Sequence, residues 1–525
     1  MRDFQRPGRS AVFASEGMCA TSHPLAALTA VDILRRGGTA ADAAIAGAVM
    51  LGFCEPHMTG IGGDCFALIS DPATGEVTAL NGSGRAPAAA DPAALRAEGL
   101  KAIPPYSAQA VTVPGAIDAF YTLAETHGRL GIDTLLAPAI EAAEQGVPVA
   151  PRVAFDWAGD AAVLKGAARD LYTLNGAAPA AGAVFRAPGQ AEALRRVARH
   201  GRDGFYTGEV AEDMLAVLDA HGGVHSAEDF AATACTPATP VSGRYKGVEL
   251  LEHPPNGQGA TAILMAHMLA EFDLAALDPL GPERTHLETE AAKLAHQERD
   301  RLIADPDHAA AAEAMLAPET ARALAARIRR DAVLPPPPPP AWAEHKETVY
   351  ITVVDRDRRA VSLIYSIFHG FGSGLASERF GILLHNRGAA FTLEAGHPNE
   401  LGPGKRPLHS IIPAMLRENG RVTMPFGVMG GGYQPTGHVR VLTNMLDFGM
   451  DLQAALDAPR AFSEAGELRL ERGTPEASRA ALAELGHKVV TPPRPLGGAQ
   501  AIRIHESGVL EGASDPRKDG CALGY

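Results

Sequence analysis

Thr348-Val-Tyr-Ile-Thr-Val-Val-Asp355 is a β-branched and aromatic run that reads as a strand. It stands just after six consecutive prolines, Pro335 to Pro340, a stiff and extended tract without internal hydrogen bonds. A threonine hydroxyl inside a chain is a poor nucleophile, because no neighbour takes its proton. Cutting the Glu347–Thr348 bond would give Thr348 an α-amine with an unperturbed pKa of about 7.7–8.0. Such an amine serves as general base for its own hydroxyl. On these eight residues alone, an ordinary strand threonine is the simpler reading. The glycine loops elsewhere in the chain change the balance.

Three such loops stand out: Gly60-Ile-Gly-Gly-Asp64, Gly370-Phe-Gly-Ser-Gly374 and Gly430-Gly-Gly432. None completes a dinucleotide fingerprint in a strand-to-helix setting, and none is followed by the Lys-Ser/Thr of a phosphate loop. Turn glycines are the default reading. The chemical alternative is a pair of backbone N–H groups aimed at a developing oxyanion, and Gly431 and Gly432 are the choice for it. Ser410 and Arg406, in Gly402-Pro-Gly-Lys-Arg-Pro-Leu-His-Ser410, are candidate binders of a small acid. No serine-hydrolase elbow is present. His253, His345, His369, His385, His397 and His409 show no ligand spacing, so no metal is expected. No other cofactor is expected either.

Upstream, helices alternate with strands. A helix is expected from Pro24 to Arg36, and Thr39-Ala-Ala-Asp42 forms a capping box for a second, apolar helix over 43–53. Residues 65–70 and 76–80 read as a hairpin. The middle of the chain is mainly helical, as at 189–200 and 283–304, with a strand at 248–252. After Thr348 strands dominate: 349–355, 361–368, 411–416, 488–491 and 501–504.

The chain has 525 residues, 46% of them hydrophobic, and a formal charge of −14, with no basic block. Nucleic acid is therefore not an expected partner. Five scattered cysteines without C-x-x-C argue against a disulfide framework and suit a reducing compartment. No apolar stretch is long enough to span a bilayer. The polar start lacks a leader's apolar region, so a cytoplasmic location is expected.

In their order these pieces resemble the γ-glutamyltransferase family of N-terminal nucleophile hydrolases. The residues that carry the resemblance are Gly38 to Asp42, Glu55-Pro-His-Met-Thr-Gly60, Val113-Pro-Gly115, Gly204-Phe-Tyr-Thr-Gly208 and Thr348 to Asp355. Gly381-Ile-Leu-Leu-His-Asn386, Gly402 to Ser410, Gly430-Gly-Gly432 and Gly512-Ala-Ser-Asp-Pro-Arg517 to Tyr525 continue it. Each motif is weak, but the collinear set is specific. The resemblance implies an α+β fold, a four-layer αββα sandwich. It implies self-cleavage between Glu347 and Thr348 into a large chain, 1–347, with a proline-rich tail over 335–347, and a small chain, 348–525. The two would form a heterodimer, with further oligomerisation open. Thr348 would be the nucleophile and Gly431 and Gly432 the oxyanion hole. Arg85, Ser366, Arg387, His409 and Ser410 would contact substrate.

Departures from the family pattern lie in the head-group site. The family's arginine position holds Ser83, with Arg85 displaced by two. Ala390 stands for an aspartate that grips an α-ammonium, Phe368 for an asparagine and His409 for a serine. Arg387 places a cation where the family uses an acid. The expected substrate is thus a small amide bearing a carboxylate but no ammonium, such as oxamate. The first alternative is a glutathione hydrolase or γ-glutamyl transpeptidase with a different grip. The second is an uncleaved, inactive binding relative.

Overall fold

The protein, seen in a computed structural model, is described over residues 5, 8–308, 312–337 and 348–525. Glu347, the expected scissile bond and residues 338–347 of the expected tail lie outside the described residues.

Two seven-stranded sheets are stacked face to face. In chain order their strands are β1 Val12–Ala14, β2 Met18–Thr21, β3 Asp64–Asp71, β4 Glu76–Gly82, β5 Thr236–Ala238, β6 Val241–Tyr245 and β7 Val248–Glu252. They continue with β8 Val349–Val354, β9 Ala360–Ser366, β10 Ala414–Glu418, β11 Arg421–Met429, β12 Gly498–Ile504, β13 Leu510–Ser514 and β14 Cys521–Gly524. The first sheet runs β14-β2-β8-β9-β3-β4-β5 and the second β1-β13-β12-β11-β10-β7-β6, antiparallel throughout.

The two-residue period of a strand explains the layering. In β8, Val349, Ile351 and Val353 pack toward the helices. Tyr350 and Val354 face the second sheet. Helices α1 (Pro24–Arg35) and α2 (Ala40–Cys54) cover the outer face of the first sheet. Helices α3 (Gly259–Leu269) and α4 (Gln434–Leu446) cover that of the second. The layers are therefore α, β, β, α.

The expected capping box is present: Thr39 accepts from the Asp42 amide and Asp42 accepts from the Thr39 amide. Helix α2 is buried along its whole length. A Cβ at Gly47 would lie 2.4 Å from Ile351 Cδ1, so the absent side chain lets the helix sit against β8. The hairpin and strands β7 and β8 fall where the sequence places them, within a residue or two. The last third is less strand-dominated than its texture suggests, for it also contains α4 and helices Leu452–Asp457 and Glu476–Leu485. Gly437, which looks like a helix breaker, sits in α4 because a Cβ there would lie 2.6 Å from Val428 Cγ1.

Sheet stacking depends on another glycine. A Cβ at Gly427 of β11 would meet the Tyr350 ring at 2.4 Å. Gly427→Val is expected to lower stability by about 1–3 kcal/mol, the usual cost of overpacking a filled core. A fall in thermal midpoint against wild type checks it.

Candidate active site

Chemistry-bearing residues gather along one shared edge of the two sheets. In the first sheet this edge carries the end of β2, the start of β8, the end of β9 and the start of β3, which register pairing brings level. In the second it carries the end of β11 and the starts of β12 and β10. Tyr350 and Met429 share one packed cluster with Phe66, Ile364 and Ile411, so the start of β8 and the end of β11 meet.

Thr348 is buried at the start of β8. Its hydroxyl donates to Ser366 Oγ at 3.3 Å, across the β8–β9 pair. Ser366 Oγ also accepts the Phe368 amide at 2.9 Å. At the end of β11 the chain turns through Gly430 (φ +117°) and Gly431 (φ +58°) into a short 3-10 turn, Gly431–Tyr433. These left-handed conformations suit glycine. The first amides of such a turn have no acceptor within it. Gln258 fixes the turn: its Nε2 donates to the carbonyls of Gly431 (3.0 Å) and Ser410 (2.6 Å). Arg299 Nη1 holds Gln258 Oε1 at 3.0 Å.

Beside Ser366, at the start of β3, Asp64 is the hub of a fully buried cluster. His409 Nε2–H donates to Asp64 Oδ2 at 2.8 Å, and His385 Nδ1 lies 3.3 Å from the same oxygen. The Gly84 amide donates to Oδ1 at 3.1 Å. Burial alone would raise the Asp64 carboxyl, but the two imidazoles outweigh it and hold Asp64 well below the usual carboxylate range. Burial and the Arg387 charge push His409 down to about 3, so it is a neutral donor.

Arg387 is also fully buried, in the short turn Arg387–Ala390. Its guanidinium lies over the Phe368 ring, 3.9 Å from the centroid, and Nη1 donates to Ser410 Oγ at 2.9 Å. Nε is 3.8 Å from Asp64, too far for a hydrogen bond. Among the described residues Nε and Nη2 have no hydrogen-bond acceptor. Burial pushes the group down to about 9, still a cation at neutral pH. Phe368 holds its stacking position at φ +77°, unusual for a side chain of this size.

Arg387, Ser366, His409 and Ser410 thus come together near Thr348, whereas Arg85 and Arg406 face other partners. Arg85, about one-third exposed, pairs with Asp305 (3.3 Å) and Asp307 (2.8 Å) and donates to the Gly404 carbonyl. Arg406 is buried, and its side chain serves the Ser83 carbonyl, Thr236 Oγ1 and the Ala234 carbonyl. A carboxylate would have to displace aspartates from one and backbone oxygens from the other. Among the described residues one group carries close-set metal-ligand atoms, His286, Glu290 and His487. It lies apart from this edge and is internally satisfied. His286 Nδ1 meets His487 Nε2 at 2.8 Å, and Glu290 accepts from Lys293 and the Leu334 amide.

A sequence model of γ-glutamyltranspeptidase matches residues 26–525. The chain belongs to the γ-glutamyltranspeptidase family. It is 34% identical to a glutathione hydrolase-like proenzyme, YwrD, of Bacillus subtilis, across 98% of this chain and 99% of that one. It is 35% identical to the oxamate amidohydrolase proenzyme of Klebsiella pneumoniae, across 97% and 99%. Its fold superposes on a cephalosporin acylase from Bacillus halodurans with a TM-score of 0.92 and 38% identity, over 100% of this chain and 99% of that one. The chain is thus an enzyme with the N-terminal nucleophile hydrolase fold. Among the described residues no helix is long and apolar enough to cross a membrane.

Sequence reasoning missed two residues of this γ-glutamyltranspeptidase-family site, Asp64 and His385. Each stands inside a quoted motif, but their meeting across 321 positions leaves no local trace. The buried histidines have a consequence for acid stability. Burial lowers His253 to about 4 and His409 to about 3, while unfolded histidine titrates near about 6.5. Below that value the unfolded chain binds protons that the folded one refuses. Stability is therefore full above it and falls as pH drops toward 4. Each group contributes about 1.4 kcal/mol per pH unit within its window. Thermal midpoints from about pH 7 to about pH 4.5 should fall progressively.

Proposed function

We propose that this enzyme is a self-processing threonine amidohydrolase acting on small amides whose acyl part carries a carboxylate and no ammonium. The observation that carries this reading is Arg387. A buried guanidinium with two nitrogens that find no acceptor among the described residues is costly unless an anion completes it. It stands beside Phe368, whose amide is held by the hydroxyl that also receives Thr348. Ala390 offers nothing to an α-ammonium.

In this reading the Thr348 hydroxyl first attacks the Glu347 carbonyl carbon. Water then hydrolyses the resulting ester, leaving chains 1–347 and 348–525 with a free amine on Thr348. The proenzyme names of the relatives support such processing. In turnover the amine takes the hydroxyl proton as Oγ attacks the substrate amide carbon. The Gly431 and Gly432 amides receive the oxyanion, and the protonated amine returns its proton to the departing nitrogen. Water, deprotonated by the same amine, resolves the acyl-enzyme and releases the acid. The location proposed is cytoplasmic.

A second reading, hydrolysis or transfer of γ-glutamyl groups, is favoured by the relatives named glutathione hydrolase, one of them 30% identical. Rates on oxamate and succinamate should be compared with those on a γ-glutamyl anilide, with and without an acceptor dipeptide. Faster turnover of the carboxylate amides is the expected result. Preference for the γ-glutamyl anilide would give the site to the second reading.

A further inference from the structure

Lys518 is 5% exposed, yet among the described residues its ammonium has a single acceptor, the Met58 thioether, with Nζ 3.4 Å from Sδ. A thioether is a weak acceptor, and an ammonium carries three N–H groups. A buried cation with so little to bond is costly unless water or an anion completes it. The carboxylates beside it are committed elsewhere. Its chain neighbour Asp519 accepts the Arg152 and Val153 amides. Asp156 pairs with Arg152 Nε at 2.7 Å and forms no ion pair with Lys518.

This ammonium stands at the same sheet edge as Thr348, on the side away from Arg387. Arg387 reaches the site from beside β3, next to Asp64 and Phe368. Lys518 reaches it from the segment entering β14, which lies two strands from β8 in the other direction. A Cβ on Gly520 would lie 1.9 Å from the Thr21 carbonyl, so this segment runs against the end of β2. The Lys518 side chain then crosses Gly498, where a Cβ would lie 2.8 Å from its Cγ. Gly498 pairs with Met429, the last residue before Gly430. At the tip of Lys518, the Met58 residue that meets Nζ also accepts, at its carbonyl, the Ile367 amide, one position past Ser366. Lys518 therefore reaches from the end of β11 to the loop against the end of β9. With Gly430 and Arg152 it lines a cavity of about 40 Å³. That is room for about three waters, on the scale of one carboxymethyl group.

An amide whose acyl carboxylate rests on Arg387, with its carbonyl carbon on Thr348 Oγ, sends its amine away from Arg387 and toward this cavity. We propose that Lys518 receives a carboxylate on the amine half of the substrate, so that the enzyme takes short amides with a carboxylate on each side of the scissile bond. N-oxalylglycine is a compact member of this class. Its hydrolysis adds water across the C–N bond and releases oxalate and glycine. The inference rests on the carboxylate reading of Arg387 and names the leaving amine, which that reading leaves open.

The test compares kcat/KM of the processed enzyme on N-oxalylglycine and on N-ethyloxamate, in which a methyl group replaces the second carboxylate. Wild type is expected to prefer N-oxalylglycine by about tenfold or more, the scale of a hydrogen bond to a charged group. In Lys518→Met the ratio is expected to fall to about one. Lost packing would lower both rates and leave their ratio in place, and Lys518→Arg is expected to restore part of the preference. A wild-type ratio of one or less, or a ratio that survives in Lys518→Met, overturns the proposal and spares the carboxylate reading. Turnover of oxamate but of neither larger amide overturns it in the same way. No turnover of any of the three overturns both. Should Lys518→Met not fold, Lys518→Gln takes its place, with the same ratio as the readout.

Discussion

Thr348→Ala is expected to leave one uncut chain of 525 residues and to remove turnover. Wild type is expected to run as two chains, the smaller beginning at Thr348. Both effects have one cause, because one hydroxyl performs the processing and the catalysis. Removing the nucleophile of a comparable hydrolase costs about 10⁶-fold in kcat. Thr348→Ser keeps the oxygen but loses the methyl that restricts χ1. It should still cleave, more slowly, because its hydroxyl is less firmly aimed across β8–β9 at Ser366. A denaturing gel with N-terminal sequencing of the smaller band reads the processing, and a substrate assay reads the turnover. If Thr348→Ala is cut at the same bond, the hydroxyl is not the processing nucleophile. If wild type stays a single chain and remains inactive, the uncleaved binding-relative reading takes first place.

Much of the scaffold was legible because its signals are local. The run from Thr348 shows its β-branched and aromatic character within seven residues. Thr39 and Asp42 cap α2 from three positions apart. The 65–70 and 76–80 hairpin is joined by one short turn. The site is different, since it is built at a sheet edge where chain neighbours diverge and distant segments meet. Asp64 meets His409 across 345 positions and His385 across 321. Gln258 steadies the Gly431 turn from 173 positions away. Arg85 looked like a carboxylate binder because the sequence shows its charge but not Asp305 and Asp307, which already answer it. The strand β11 is missing from the strands read in the sequence. Gly427 and Pro425 depress its strand character, yet Gly427 is there to admit Tyr350.

Arg387→Met is expected to lower kcat/KM for carboxylate amides by about 10²–10³-fold, the scale of truncating one partner of a buried charge pair, about 2–5 kcal/mol. Most of the loss should appear in KM, since the guanidinium grips a carboxylate that is present in the ground state and the transition state alike. Arg387→Lys should rescue little. A lysine ammonium cannot lie flat on Phe368, reach Ser410 Oγ and present two parallel N–H groups to a carboxylate. Arg85→Ala is the control, and with its charge already met by two aspartates it should change kcat/KM by less than about threefold. The folded state should tolerate Arg387→Met, because replacing a buried, half-satisfied cation with an apolar chain of similar volume is often neutral or stabilising. Equal thermal midpoints with unequal KM would therefore separate substrate binding from folding. If Arg85→Ala raises KM while Arg387→Met leaves it unchanged, the carboxylate is held at the exposed arginine, and the pocket around Asp64 serves the fold alone.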